Sequence, residues 1–214
     1  MKLARITATA ALLFSLVASP VQAQAQQSCA AHYLVAVPGG GNTAEGIPDY
    51  VPHGGNVFMT GVLTRLGTGG EIHPLWVSYN STPFATAEYE KSKAGGLKRA
   101  RGTVKKLATA CPDAKFSFTG YSLGADIAAT ITSDIAAGRG PIEPERVSGV
   151  ALFANPHQGG NGAVLSAGTS PHSRGSLGSL PDGYGVLGPR VLEICRVDDL
   201  VCSMQESHRG LVAP

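Results

Sequence analysis

Hydrophobic and polar positions alternate along this chain in two rhythms. Short runs that are fully apolar, or apolar at every second position, mark five strands: His32–Val37, Ile72–Tyr79, Ala114–Tyr121, Val147–Ala154 and Val191–Cys195. Pro74 breaks the second of these early, because proline cannot donate to a strand ladder. Longer runs with a helical apolar spacing predict helices over Val57–Leu66, Lys93–Ala110 and Ser122–Ala137. In the last, Leu123, Ile127, Ile131 and Ile135 recur every four residues and form one stripe. Strands alternating with helices predict an α/β domain built on a mainly parallel sheet of about five strands. The sequence shows neither an internal repeat nor a domain linker.

Two parts of the chain fall outside this rhythm. Residues 1–25 read as a secretory signal peptide: Lys2 and Arg5 give a positive start, Ala8–Val17 an apolar centre, and Val21-Gln22-Ala23 or Ala23-Gln24-Ala25 a small-residue cleavage site. The remaining domain, 26–214, is expected outside the cell or in its envelope. The other part is Pro156–Pro189, dominated by Gly, Ser and Pro, with Ala163–Ala167 as a short ordered piece within it. A connection of this length is either functional or flexible. Its apolar residues, among them Leu177, Tyr184 and Leu187, predict a greasy wall beside a substrate chain.

Composition narrows the classes. Without Lys2 and Arg5 the chain carries 15 basic and 15 acidic residues, a balance that gives no reason to expect nucleic acid as a partner. The basic concentration of Lys91, Lys93, Lys98, Arg99, Arg101, Lys105 and Lys106 falls mostly on one predicted helix and reads as its solvated face. Four cysteines in an exported chain predict two disulfides, for which three pairings exist. The seven-residue spacing of Cys195 and Cys202 favours a clamp on one loop, which leaves Cys29 with Cys111. No C-x-x-C pair is present and the six histidines show no ligand spacing, so neither a metal nor an organic cofactor is expected.

Gly120-Tyr121-Ser122-Leu123-Gly124 lies where a strand rhythm changes to a helix rhythm. A G-x-S-x-G pentapeptide in that context is the sequence form of a nucleophile elbow, a turn so sharp that side chains beside the serine are not tolerated. A serine hydroxyl needs a base to take its proton and an acid to orient the base. The final strand runs into Cys195-Arg196-Val197-Asp198-Asp199-Leu200-Val201-Cys202, and His208 follows, which supplies both in the order serine, acid, histidine. His53, His157 and His172 are competing bases, while His73 sits inside a strand pattern and reads as structural.

Taken with their spacing, these motifs resemble the cutinase family of serine esterases, its actinobacterial members in particular. The resemblance spans roughly Cys29 to His208, and its elements are the G-Y-S-x-G motif at Gly120–Gly124 and C-x-x-x-D-x-V-C at Cys195–Cys202, followed by the histidine. It implies a three-layer α/β/α hydrolase fold, Ser122 as nucleophile, Asp199 rather than Asp198 as acid, and His208 as base. It further implies the bridges Cys29–Cys111 and Cys195–Cys202, and an oxyanion hole made by the Leu123 amide with a donor at Asn42 or Thr43. The expected substrate is a carboxylic ester of a lipid, glycolipid or polyester, met by a monomer with peripheral envelope contact. An acetylxylan-type carbohydrate esterase and a non-catalytic envelope-binding module are the alternatives. Three features depart from the family's usual pattern: Leu123 replaces a common Gln, Gly39-Gly40-Gly41-Asn42-Thr43 replaces Arg-Gly-Ser/Thr, and six residues follow His208.

Overall fold

The computed structural model describes residues 29–54, 72–82 and 86–204. The predicted signal peptide, the helix expected at Val57–Leu66 and the candidate base His208 lie outside the described residues. The described elements are β1 (His32–Val37), β2 (Ile72–Trp76), α1 (Thr86–Ala110), β3 (Lys115–Tyr121), α2 (Leu123–Ala136), β4 (Val147–Phe153), β5 (Val164–Leu165) and β6 (Val191–Ile194). They form a six-stranded sheet in the order β2-β1-β3-β4-β6-β5, with every neighbouring pair parallel. The five expected strands are all present, and the sixth is a two-residue edge strand within the expected ordered piece.

Side-chain alternation decides how the layers pack. Tyr33, Val35 and Val37 of β1 and Phe116 and Phe118 of β3 face one way and join Ala100, Val104 and Leu107 of α1 and Ile127, Ile131 and Ile135 of α2 in one core. The four-residue stripe read from the sequence is therefore the buried face of α2. Leu34, Ala36, Trp76 and Thr119 face the opposite side and are also buried, so both faces of the sheet centre are shielded. Helix α1 begins at Thr86, seven residues before its expected start.

The basic face of α1 is only partly a solvated one. Lys91, Lys98, Lys105 and Lys106 are exposed, but Arg99 pairs with Asp49, Arg101 with Asp134, and Lys93 turns inward to a buried carboxylate. Ion pairing thus claims three of the seven cations, two across the contact with α2 and one with the loop after β1.

Disulfides join Cys29 to Cys111 and Cys195 to Cys202. The first ties the chain just ahead of β1 to the end of α1, and Arg146 completes that corner. Its guanidinium donates to the carbonyls of Ala108, Cys111 and Ala114 and lies 5.3 Å from the centroid of the Phe116 ring. Helix C-terminal carbonyls have no partners of their own, and Arg146 supplies them. Replacing Arg146 with Met keeps the aliphatic stem and strands those carbonyls. The expected cost is about 2 kcal/mol or more, read by calorimetry as a Tm lowered by roughly 4–8 °C, with turnover per folded molecule unchanged.

The order of strands also fixes where a site can form. From β1 the chain passes to β2 on one side, whereas from β3 it passes through α2 to β4 on the other. The loops leaving the C-terminal ends of β1 and β3 therefore part, and the crevice between them is the topological switch point where ligands bind in open α/β sheets. Those two loops are Pro38–Thr43 and the turn at Ser122.

Candidate active site

Ser122 stands between β3 and α2 with φ 54° and ψ −122°, a backbone conformation that non-glycine residues rarely adopt. The surrounding backbone holds it there. Its N–H donates to Phe153 O of β4 at 3.0 Å, and its C=O accepts from Ala125 and Asp126 in the first turn of α2. The two motif glycines are required by contact. A Cβ on Gly120 would lie 2.2 Å from Gly124 O, and one on Gly124 would lie 2.1 Å from Val37 O of β1. Substitution at either would push the turn apart. The amides at the start of α2, Leu123 first, have no acceptor within the helix and carry its positive dipole end. The Leu123 side chain is buried, so what this position offers the site is its backbone N–H.

The loop after β1 packs directly on this turn, because a Cβ on Gly39 would meet Tyr121 O at 2.9 Å. Its two candidate oxyanion residues are braced from both sides. Asn42 N–H donates to Gly39 O, while Thr43 N–H donates to Ser81 Oγ, whose hydroxyl in turn donates to Thr43 O at 2.6 Å. The Thr43 hydroxyl lies 2.8 Å from His53 Nε2, and His53 Nδ1 lies 2.8 Å from Val51 O. A carbonyl only accepts, so the proton of neutral His53 sits on Nδ1 and Nε2 receives the Thr43 hydroxyl. Both amides are thus committed to the loop's own supports, and the hydroxyl is the donor that a rotation frees.

The two neighbouring carboxylates of the disulfide loop are in different situations. Asp198 is exposed and bidentate with Arg196, whose hydrogen bonds hold its carboxyl below the usual carboxylate range. Asp199 is half-buried, and its Oδ1 accepts the amides of Val201 at 2.7 Å and Cys202 at 3.3 Å. Its own N–H and C=O are bonded to Arg196 and Ser203, so the residue is fixed at backbone and side chain together. Of the two, only Asp199 has a carboxylate fixed within the loop, and among the described residues its Oδ2 accepts no hydrogen bond.

The competing histidines are placed elsewhere. His53 braces Thr43, and His172 is exposed on a turn. His73 is on β2, edge-on to the Tyr33 ring. His157 has Nδ1 2.8 Å from Gly178 O and Nε2 3.1 Å from Asp126 Oδ1.

Asp126 is the functional-site neighbour that sequence reading missed. It lies in the first turn of α2, four residues after Ser122, and is fully buried. Lys93 Nζ is 2.7 Å from Oδ1, Thr130 Oγ1 donates to Oδ1, and Tyr89 OH donates to Oδ2 at 2.8 Å. Burial alone would raise its carboxyl, but the His157 contact and the Lys93 charge outweigh that and hold it below the ordinary range. Burial, and then the Asp126 charge, push the Tyr89 hydroxyl strongly up, so it stays a donor. The available signal was one carboxylate beside the apolar stripe of α2, a position that demands a cation.

Residues 42–210 match the family model described as Cutinase. The chain belongs to the cutinase family. It is 28% identical over 133 residues to "Probable carboxylesterase Culp7" of Mycobacterium tuberculosis, covering 57% of this chain and 64% of that protein. It is 25% identical over 164 residues to "Carboxylesterase Culp1" of the same species, covering 77% and 65%. The matches thus span just under two thirds of these relatives' length. Among solved structures, the catalytic core domain of acetyl xylan esterase from Trichoderma reesei superposes with a TM-score of 0.64 at 15% identity, over 86% of this chain and 92% of that one. That likeness is one of fold.

Proposed function

We propose that this cutinase-family chain is an exported carboxylic ester hydrolase working through Ser122, His208 and Asp199. The observation that carries the reading is the turn at Ser122. Its left-handed backbone is strained, and strain of this kind persists only where surrounding structure enforces it. His208 takes the Ser122 proton as Oγ attacks the ester carbonyl, and Asp199 orients the ring and stabilises its positive charge. The negative oxygen of the tetrahedral intermediate is received by the Leu123 amide and by the Thr43 hydroxyl, rotated away from His53. Collapse expels the alcohol, protonated by His208, and leaves an acyl group on Ser122. Water, deprotonated by the same histidine, then releases the acid and restores the hydroxyl.

Lipid, glycolipid or polyester esters fit this reading better than small polar ones. Tyr121 beside Ser122, Leu200 beside Asp199, and Leu177 on the segment bonded to Val201 are 43%, 61% and 47% exposed. Exposed apolar side chains there favour an acyl chain as the bound moiety.

The test is covalent labelling. A fluorophosphonate is expected to modify Ser122, located by peptide mapping, and short p-nitrophenyl acyl esters should turn over. A folded protein that takes no adduct overturns the catalytic reading and leaves an envelope-binding module. Turnover confined to acetyl esters moves the substrate class to acetylated carbohydrate.

A further inference from the structure

Part of the long connection between β4 and β6 turns into the core and does not line a substrate chain. Tyr184 and Leu187 are fully buried in the core. Glu193 of β6, itself buried, receives Tyr184 OH and Asn155 Nδ2 at Oε1 and the Gly159 amide at Oε2. The segment Ser173–Gly178 then runs between two other pieces of chain. On one side Gly175 N–H donates to Gln158 O and Leu177 N–H to Pro156 O, both at 2.9 Å. A Cβ on Gly175 would lie 2.0 Å from Pro156 O, so the backbones touch without side chains between them. On the other side Ser176 N–H donates to Val201 O, Met204 N–H donates to Arg174 O, and the Ser173 and Ser203 hydroxyls bond each other. The segment is a bracket between the end of β4 and the loop that carries Asp199.

One end of this bracket is fastened to the nucleophile helix. His157 Nδ1–H donates to Gly178 O, an acceptor only, and Nε2 faces the buried Asp126 carboxylate of α2. The second contact brings an imidazole nitrogen to 3.1 Å from a buried carboxylate oxygen, an ion pair when the ring carries both protons. Among the described residues, the charged and titratable groups around it are Asp126 from α2, Lys93 and Tyr89 from α1, and Tyr79 just after β2. A continuous chain of contacts therefore runs from α2 through Asp126, His157, Gly178 and Ser176 to Val201, whose amide holds Asp199 Oδ1 at 2.7 Å.

We infer that His157 and Asp126 are positioning residues: they latch the Ser173–Gly178 bracket to the nucleophile helix and so set the Asp199 loop in register with Ser122. The inference rests on the triad reading of the site. It gives the long connection a role in the chemistry, whereas a wall would affect only acyl preference. A displacement of about 1 Å in a reacting constellation costs on the order of 10²-fold in rate, which bounds the effect of releasing the latch.

The test uses the full chain with His157→Ala, His157→Gln and Asp126→Asn on a soluble short-chain p-nitrophenyl ester. His157→Ala should lower kcat by roughly 10- to 100-fold with KM changed by no more than about twofold. It should also move the acid limb of kcat/KM to lower pH, because a misplaced Asp199 no longer favours the protonated base. His157→Gln, which restores a donor toward Asp126, should recover part of kcat, and Asp126→Asn should resemble His157→Ala. A limb that stays in place, with kcat falling only as the folded fraction falls, makes the latch merely structural and overturns the inference. Should His157→Ala or Asp126→Asn fail to fold, His157→Gln decides by the same limb. Full activity in an Asp199→Asn enzyme would instead remove the triad reading, so the two failures are distinguishable.

Discussion

Ser122→Ala should remove essentially all esterase activity, lowering kcat by about 10⁶-fold, while the protein folds with an unchanged or slightly raised Tm. The size follows from the nature of the step. Without Oγ no acyl-enzyme forms, and loss of the nucleophile in a serine hydrolase costs about as much as loss of the whole triad. The left-handed backbone is set by Gly120, Gly124 and the Phe153 carbonyl, none of which the substitution touches. Burst kinetics with a p-nitrophenyl ester and calorimetry on the same sample check both halves. A variant retaining a tenth of wild-type turnover would mean that another group attacks the ester.

Asp199→Asn and Asp198→Asn should differ by orders of magnitude although the residues are neighbours. An amide at 199 can still accept the Val201 and Cys202 N–H groups through its oxygen. Its NH₂ would then face the base where a carboxylate oxygen had been, favouring the wrong tautomer, at an expected cost of about 10⁴-fold in kcat. Asp198→Asn loses one exposed pair with Arg196, and exposed pairs of this kind are worth about 0–1 kcal/mol. Its turnover should stay within about twofold of wild type, given the absence of any contact between that pair and the Asp199 carboxylate. Steady-state kinetics on the two purified variants checks this; equal losses would make Asp199 no more than a loop-folding residue.

The strands and α2 were legible because their burial alternates in step with the backbone, as at Tyr33, Val35 and Val37 or at Ile127, Ile131 and Ile135. What escaped has a physical reason in each case. The two residues of β5 are too few to express any period. Helix α1 starts in the stretch Thr86–Ser92, whose polar and charged residues give no stripe. Lys93 and Asp126 are 33 positions apart, so the pair is invisible until α1 and α2 pack. The bracket is made of backbone hydrogen bonds among Gly, Ser and Pro, and a sequence pattern records only side chains. Within the Asn42–Thr43 turn, the sequence located the residues but not the direction of their amides, that of Thr43 being set by Ser81 from 38 positions away.

The all-parallel sheet described above also dictates an order of events in time. No two of its strands form a hairpin, so every ladder must wait for an intervening stretch of chain to be made and folded back. Strands β1, β2 and β3 are complete by Tyr121, and their three-stranded half, with α1, is enclosed by the Cys29–Cys111 bridge except for β3 itself. The half containing β4, β5 and β6 arrives only from Val147 onward, bringing Asp199 with it. A chain emerging from its N-terminus thus presents Ser122 on a half-built sheet before β4 brings the Phe153 carbonyl that fixes its amide. Non-local pairing of this kind is intrinsically slow, and the late-arriving loop that holds Asp199 carries its own short-range crosslink, Cys195–Cys202.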